Sequence, residues 1–289
     1  MRASPRHEAL IRFSERSDWG PANPWNAARE HVVDSGDQVR PDVLFLSGVD
    51  WRMVDRADWP ESRVPVINLI QHVWHASPDD KLGRARFLPN KAIRICVSPE
   101  VARALERTGR VRGPIFTIPD AIDVERLAGM RRAGKRDLDL LVLANKQPER
   151  GHAVFERLAP ERRAHLVDTR TAHDEVLDLM SRAAVTVFVP NPKEGFYLPA
   201  LEGMALGTLV VCPDCVGNRS YCIDRVNCLR PAYSVEAIAA DAAEALSRED
   251  RLDGLVESAA ETARRHDLRA ERSSFLTILD RVEELWAAA

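Results

Sequence analysis

The chain has 289 residues, 45% hydrophobic and 29% charged, enough apolar content for two ordinary cores beneath a soluble surface. A formal net charge of -3 argues against nucleic acid or an acidic membrane as a partner of the bulk surface. No apolar run approaches the ~20 residues of a membrane-spanning helix, and no signal-peptide core follows Met1–Glu8, so no transmembrane segment and a cytoplasmic address are expected.

Apolar strands alternate with amphipathic helices from end to end, which predicts an α/β fold with parallel sheets. The first part reads as strands at Ala9–Phe13, Asp42–Leu46, Val64–Ile70, Ala92–Val97 and Pro114–Ile118. Helices are expected at Pro24–Asp34 and at Pro99–Thr108, the latter entered through Ser98 as N-cap. Gly129–Asp137 has two glycines, four basic residues and little to bury, so it reads as an exposed, solvated linker with strand-like sequence on both sides. Beyond it, strands are expected at Leu138–Leu143, Ala164–Val167, Ala184–Val189, Thr208–Val211 and, briefly, Asn227–Arg230. Helices fit Glu149–Leu158, His173–Ser181, Pro199–Leu206 and Val235–Leu246, with two long segments between Arg251 and Trp286.

The most informative stretch is Glu194-Gly-Phe-Tyr-Leu-Pro-Ala-Leu-Glu202-Gly-Met-Ala-Leu-Gly207. A buried strand, a glycine turn and a helix entered at Pro199 leave backbone N–H groups and a helix dipole free to hold a phosphate. Glu194 precedes the helix and Glu202 lies about one turn inside it, and carboxylates accept hydrogen bonds from the vicinal diols of sugar or ribose. Cys212-Pro-Asp-Cys215, with Cys222 and Cys228, invites a zinc reading. The spacing fits no known finger and no ligand-spaced histidines stand nearby, so reduced thiols and no metal are expected.

The Glu194–Gly207 stretch resembles the Glu-x7-Glu signature of retaining, nucleotide-sugar-dependent glycosyltransferases of the family 4 type. Other segments are similar in the same order: Val64–His72 ends a strand in a histidine, Arg94–Glu100 carries Val-Ser-Pro-Glu, and Ile118-Pro-Asp-Ala-Ile-Asp123 stands where the family has Pro-Asn-Gly-Val-Asp. Asp120 and Ala121 are departures in that last segment. The resemblance implies a GT-B fold, two Rossmann-like domains facing a cleft, with the N-terminal one abbreviated. Residues 1–128 would form the acceptor-side domain, 129–137 the linker and 138–289 the donor domain, its last helix packing back on the first.

It also implies site residues. Glu194 and His72, with His75 as the alternative histidine, would face the donor sugar, beside the amides of Gly195, Phe196, Tyr197 and Leu198. Glu202 would take the ribose hydroxyls, and the base would lie near Asp168–Thr171. Where the family has Gly-Arg-Leu-x-x-x-Lys-Gly for the diphosphate, this chain has Ala144-Asn145-Lys146-Gln147-Pro148-Glu149-Arg150-Gly151. Arg150 keeps the second cation. Asn145 replaces the first, so either Lys146 swings in or the diphosphate loses a charge.

The activity implied is retaining sugar transfer from a nucleoside diphosphate to a glycan, lipid-linked or small-molecule hydroxyl, with no cofactor and no metal strictly required, in a setting such as polysaccharide assembly. A nucleotide-sugar-binding pseudo-transferase and a GT-B epimerase are the rivals. Asp18–Trp25 replaces the family's glycine-rich first loop. Trp19, Trp25, Trp51, Trp59 and Trp74 crowd the first 75 residues, fitting an acceptor groove, a core or an oligomer interface.

Overall fold

The computed structural model describes residues 6–13, 17, 23–33, 39–54, 64–132, 134, 136–247 and 253–289. Four parallel strands, β1 (Leu44–Ser47), β2 (Val66–Ile70), β3 (Ile93–Cys96) and β4 (Ile115–Thr117), lie side by side in chain order. A second parallel sheet has the order β6-β5-β7-β8, from β5 (Leu138–Leu143), β6 (Ala164–Val167), β7 (Ala183–Phe188) and β8 (Leu209–Val211). Every residue of β7 is buried, the expected state of a parallel strand covered on both faces. This is the GT-B architecture expected from the sequence.

The helices are α1 (Pro99–Glu106), α2 (Val124–Met130), α3 (Pro148–Leu158), α4 (His173–Arg182), α5 (Leu198–Leu206), α6 (Val235–Ser247), α7 (Asp253–Arg264), α8 (Leu268–Asp280) and α9 (Val282–Ala287). Ser98 caps α1 as expected, its Oγ accepting from the Val101 amide at 3.2 Å. Helix α5 is apolar all round because it is buried all round, from Ala200 to Leu206. Gly203 inside it lets the Phe188 ring approach; a Cβ there would sit 2.8 Å from that ring. Gly207 ends it in the left-handed region at φ 73°.

One buried cluster joins Ile70, Cys96 and Val101 around the first sheet to Leu141, Phe188 and Leu201 around the second. The chain then returns: Ile278, Leu279, Val282 and Trp286 of α8 and α9 pack with Leu46, Ile67 and Ile93 of the first sheet. Arg94 is fully buried, its guanidinium donating to the carbonyls of Phe87, Leu88, Asn90, Ala92 and Arg112. It ties the 84–92 turn to β3, and burial lowers its pKa to about 10.

Several local expectations fail. Ala9–Phe13 is not a strand; Ile11 makes a single bridge to Val32. Pro24–His31 is a 3-10 helix kinked at Ala28, its first turn tightened by Asn23 accepting from the Trp25 amide. Asp34 lies outside the described residues. The sequence before the linker is not strand-like but helix α2, capped by Asp123 and anchored by buried Leu127. Nor is the linker's charge merely solvated, because Arg136 donates to the carbonyls of Met180, Ser181 and Leu206 at the ends of α4 and α5. The short strand at Asn227–Arg230 reduces to isolated bridges, Asp224 with Cys228 and Val211 with Leu229. Three helices, not two, occupy the C-terminal stretch.

Candidate active site

The Glu194 turn follows β7 and opens α5. Tyr197 is the N-cap of α5 and offers no side-chain acceptor to the first turn. Gln147 before α3 and Ala172 before α4 do no capping either. Where α1, α2 and α8 are closed by Ser98, Asp123 and Asp267, these three helices begin uncapped, past the C-terminal ends of β5, β6 and β7. Such an edge of a parallel sheet presents N–H groups and dipole to an anion.

Glycines set the approach of the backbones. A Cβ on Gly217 would lie 2.9 Å from the Phe196 backbone, and Gly217 accepts from the Tyr197 amide at 3.0 Å. A Cβ on Gly151 would lie 2.1 Å from that of Ala144, so this glycine seats α3 against the end of β5. On the far side, Gly195 abuts Gln71 and His72, which follow the end of β2. Phe196 packs on Tyr221 and His266, whose ring centroids lie 5.2 and 5.8 Å away, and Leu198 borders the same core.

Glu194 is mostly buried. Its Oε1 accepts from the Asn191 amide at 3.3 Å and lies 3.8 Å from Lys146 Nζ. Lys146 therefore leans toward the Glu194 turn, while Asn145 is exposed at the end of β5. Gln147 Nε2 donates to Asn191 Oδ1 at 2.8 Å and fastens the loop after β5 to the loop after β7. Arg150 does not project freely: its guanidinium carbon lies 4.6 Å from the centre of the Tyr233 ring. The Tyr233 hydroxyl donates to the carbonyl of Pro190, the residue before Asn191.

His72 is half-buried, with Glu194 and Lys146 both acting on it. Desolvation lowers its pKa first, against the pull of Glu194. Its Nδ1 accepts from the Trp74 amide at 3.1 Å, so in the neutral ring the proton sits on Nε2 as a donor. Trp74 stacks with His72 on one side, at 6.2 Å and 17°, and Lys193 lies 4.1 Å from the Trp74 ring centre. The alternative histidine, His75, is buried, at 4% exposure.

Glu202 is nearly buried and its Oε1 meets His173 Nε2 at 2.8 Å. His173, Tyr233 and the Gln147–Asn191 link were not legible in the sequence, since each acts across a gap of more than 25 positions. The only sequence signal was the place of His173 at the first turn of a helix. Asp168, expected to neighbour the nucleobase, bonds His152 at 2.8 Å. Cys96, Cys212, Cys215, Cys222 and Cys228 are free and buried; burial pushes the Cys215 thiol well up and keeps it protonated. Among the described residues no three metal-ligating side chains are grouped to hold an ion, and no helix is long and apolar enough to cross a membrane. Of the tryptophans, Trp51 is buried and Trp25 is 48% exposed, while Trp19 and Trp59 lie outside the described residues.

Residues 123–248 match the family model described as glycosyl transferases group 1. In structure the chain is similar to sucrose-phosphate synthase from Thermosynechococcus elongatus, at TM-score 0.65 and 16% identity, over 86% of this chain and 74% of that one. It is similar to TarM at TM-score 0.64 and 11% identity, over 82% of this chain and only 54% of TarM. HepE of Anabaena, solved with UDP and glucose, aligns at TM-score 0.59 and 14% identity over 75% of this chain and 72% of its own. No curated protein matches the chain in sequence. The family match and the shared fold together support a GT-B glycosyltransferase.

Proposed function

We propose that the chain transfers a sugar from a nucleoside diphosphate to an acceptor hydroxyl with retention at the anomeric carbon. The observation that carries this reading is the meeting, across the two sheets, of the Glu194–Gly195 turn with Gln71 and His72. The uncapped starts of α3, α4 and α5 support a diphosphate beside that junction, and HepE, solved with UDP and glucose, shares the fold. Retaining transfer is the step drawn from the family resemblance.

In this scheme Arg150, Lys146 and the α5 amides neutralise the leaving diphosphate. Glu194 and the Nε2–H of neutral His72 orient the donor sugar, and Glu202 takes the ribose hydroxyls. The anomeric C–O bond to phosphate breaks as the acceptor oxygen bonds to that carbon on the same face. The acceptor proton passes to the departing phosphate oxygen, so atoms and charge balance.

A thermal-shift panel of UDP, GDP, ADP and their sugars tests the donor site. A ligand at a hundred times its Kd adds about 2.7 kcal/mol, a clear rise in Tm. One nucleotide standing out, with its shift clearly reduced in Glu202→Ala, is the expected result. NMR of the anomeric proton in the transfer product then reads retention. No shift with any nucleotide overturns the donor site, and an inverted product overturns retention.

A further inference from the structure

A second site lies outside the junction just described. One face of the first sheet, with α8 lying over it, encloses a half-open groove of about 250 Å³. Phe45, Leu69 and Ile95 come from the sheet, Ile118 from the residue after β4, and Leu268 and Phe275 from α8. Phe45 and Phe275 meet edge to face at 5.6 Å, yet Phe45 remains 50% exposed and Leu268 37%. An apolar slot with exposed aromatic walls is the common form of a small-molecule site.

Its rim is acidic and fixed. Asp120 stands where the family resemblance leads one to expect asparagine, and Glu271 faces it from α8. The segment carrying Asp120 is stitched to the start of α8: Ile122 donates to the His266 carbonyl at 3.0 Å and Leu268 to the Ile122 carbonyl at 3.1 Å. The Glu271 carboxylate accepts from the Ala121 amide. Among the described residues no ion pair reaches Asp120. Burial and then Glu271 push its carboxyl up to about 7. Arg272, the cation lining the groove, acts on Glu271 and lowers it.

We propose that this groove binds a small apolar amine, its ring or chain on Phe45 and Phe275 and its ammonium group on Asp120 with Glu271. Charge complementarity selects this occupant: Arg272 acts on Glu271, so Asp120 is the carboxylate over the apolar floor that is costly to ionise until a cation arrives, whereas an anion would face Asp120 beside Glu271. The site does not depend on sugar transfer, and its binding is read without any donor nucleotide.

The test titrates the full chain with phenethylamine at pH 8, where Asp120 is ionised, using 2-phenylethanol and phenylacetate as matched neutral and anionic probes. Affinity is read by calorimetry and saturation-transfer NMR. The amine is expected to bind at least ten-fold more tightly than the alcohol, and the carboxylate not at all. Asp120→Asn should reduce the amine to the affinity of the alcohol while leaving the alcohol unchanged, and Phe45→Ala should weaken both. Phe45 is half-exposed, so this variant folds, and circular dichroism checks both. Equal binding of amine and alcohol, no binding of either at millimolar concentration, or an amine preference that survives Asp120→Asn overturns the proposal.

Discussion

A Cβ added to Gly195 would stand 1.8 Å from the carbonyl oxygen of Gln71 and 3.0 Å from the Cα of His72. The second sheet thus touches the first through the backbone of the glycine that follows Glu194. No rotamer change relieves that contact, because the opposing atoms belong to the main chain.

Gly195→Ala therefore separates the Glu194 turn from His72. A misplacement on the order of 1 Å at a reacting centre costs about 100-fold. We expect kcat/KM of transfer to fall by at least that factor, with Tm lowered by only a few degrees, since the core on either side is untouched. Steady-state kinetics beside a thermal melt reads both. Activity within three-fold of the parent would show that the contact opens during turnover.

The carboxylate at Glu202 is held by His173, whose Nε2 meets Oε1 at 2.8 Å; in the proposed scheme the other oxygen takes the ribose. Glu202→Ala should weaken nucleoside diphosphate binding by about 10- to 100-fold, the range of one charged hydrogen bond. His173→Ala removes only the support and should cost less, about three- to ten-fold for a bond on a largely exposed ring. Calorimetry with the best-binding nucleotide separates them. Equal losses would place His173 on the ligand itself.

Fold and junction differ in how much of them the sequence carries. The strands are legible because their burial is written as continuous Val, Ile and Leu runs, as in β7. Ser98 and Gly207 act through local geometry and are equally legible. Helix α2 is not, because its seven residues depend on Leu127 reaching a core built by distant segments. The same holds for Arg136, whose linker charge is spent on helix ends more than 40 positions away. Among the expected site residues, Glu194 and Glu202 were marked by the resemblance of the whole Glu194–Gly207 stretch, not by their spacing alone. What holds them, Lys146, His173 and the Gln147–Asn191 link, comes from loops that only the sheet order brings together.

Arg150 has a support the sequence did not disclose. With the guanidinium over Tyr233 and the Tyr233 hydroxyl on the Pro190 carbonyl, the cation is fixed relative to the Glu194 loop. Tyr233→Leu removes a partly shielded cation–π contact, worth about 0.5–1 kcal/mol, and should lower kcat about three- to five-fold with KM for the donor nearly unchanged. Tyr233→Phe keeps the ring and should lie between Leu and the parent, while Arg150→Ala should be far worse than either. Kinetics of the three variants at saturating acceptor checks the order. A Leu variant as active as the parent would reduce Tyr233 to packing.

His75 gives a pH signature independent of any ligand. Its ring is buried, and desolvation, aided by Arg84, lowers its pKa from 6.5 to about 4. In the unfolded chain the imidazole takes up a proton near 6.5, whereas in the fold it does not until about pH 4. At this site the unfolded state therefore binds more protons in that window, so the contribution of His75 to stability falls as pH drops from about 6.5 to 4, while Asp120, raised to about 7, acts in the opposite direction and is common to parent and variant. The full shift corresponds to about 3 kcal/mol. Asp80, bonded to Arg84 at 2.8 and 2.9 Å, is shifted below the usual carboxylate range and loses its contribution only at lower pH, outside this window. Urea melts at pH 7, 5.5 and 4.5 should show the parent losing stability relative to His75→Gln, which cannot titrate at this position. The gap between them should narrow or reverse on acidification. Parallel curves would mean that His75 is protonated in the fold already near neutral pH, and that the pocket around it admits water.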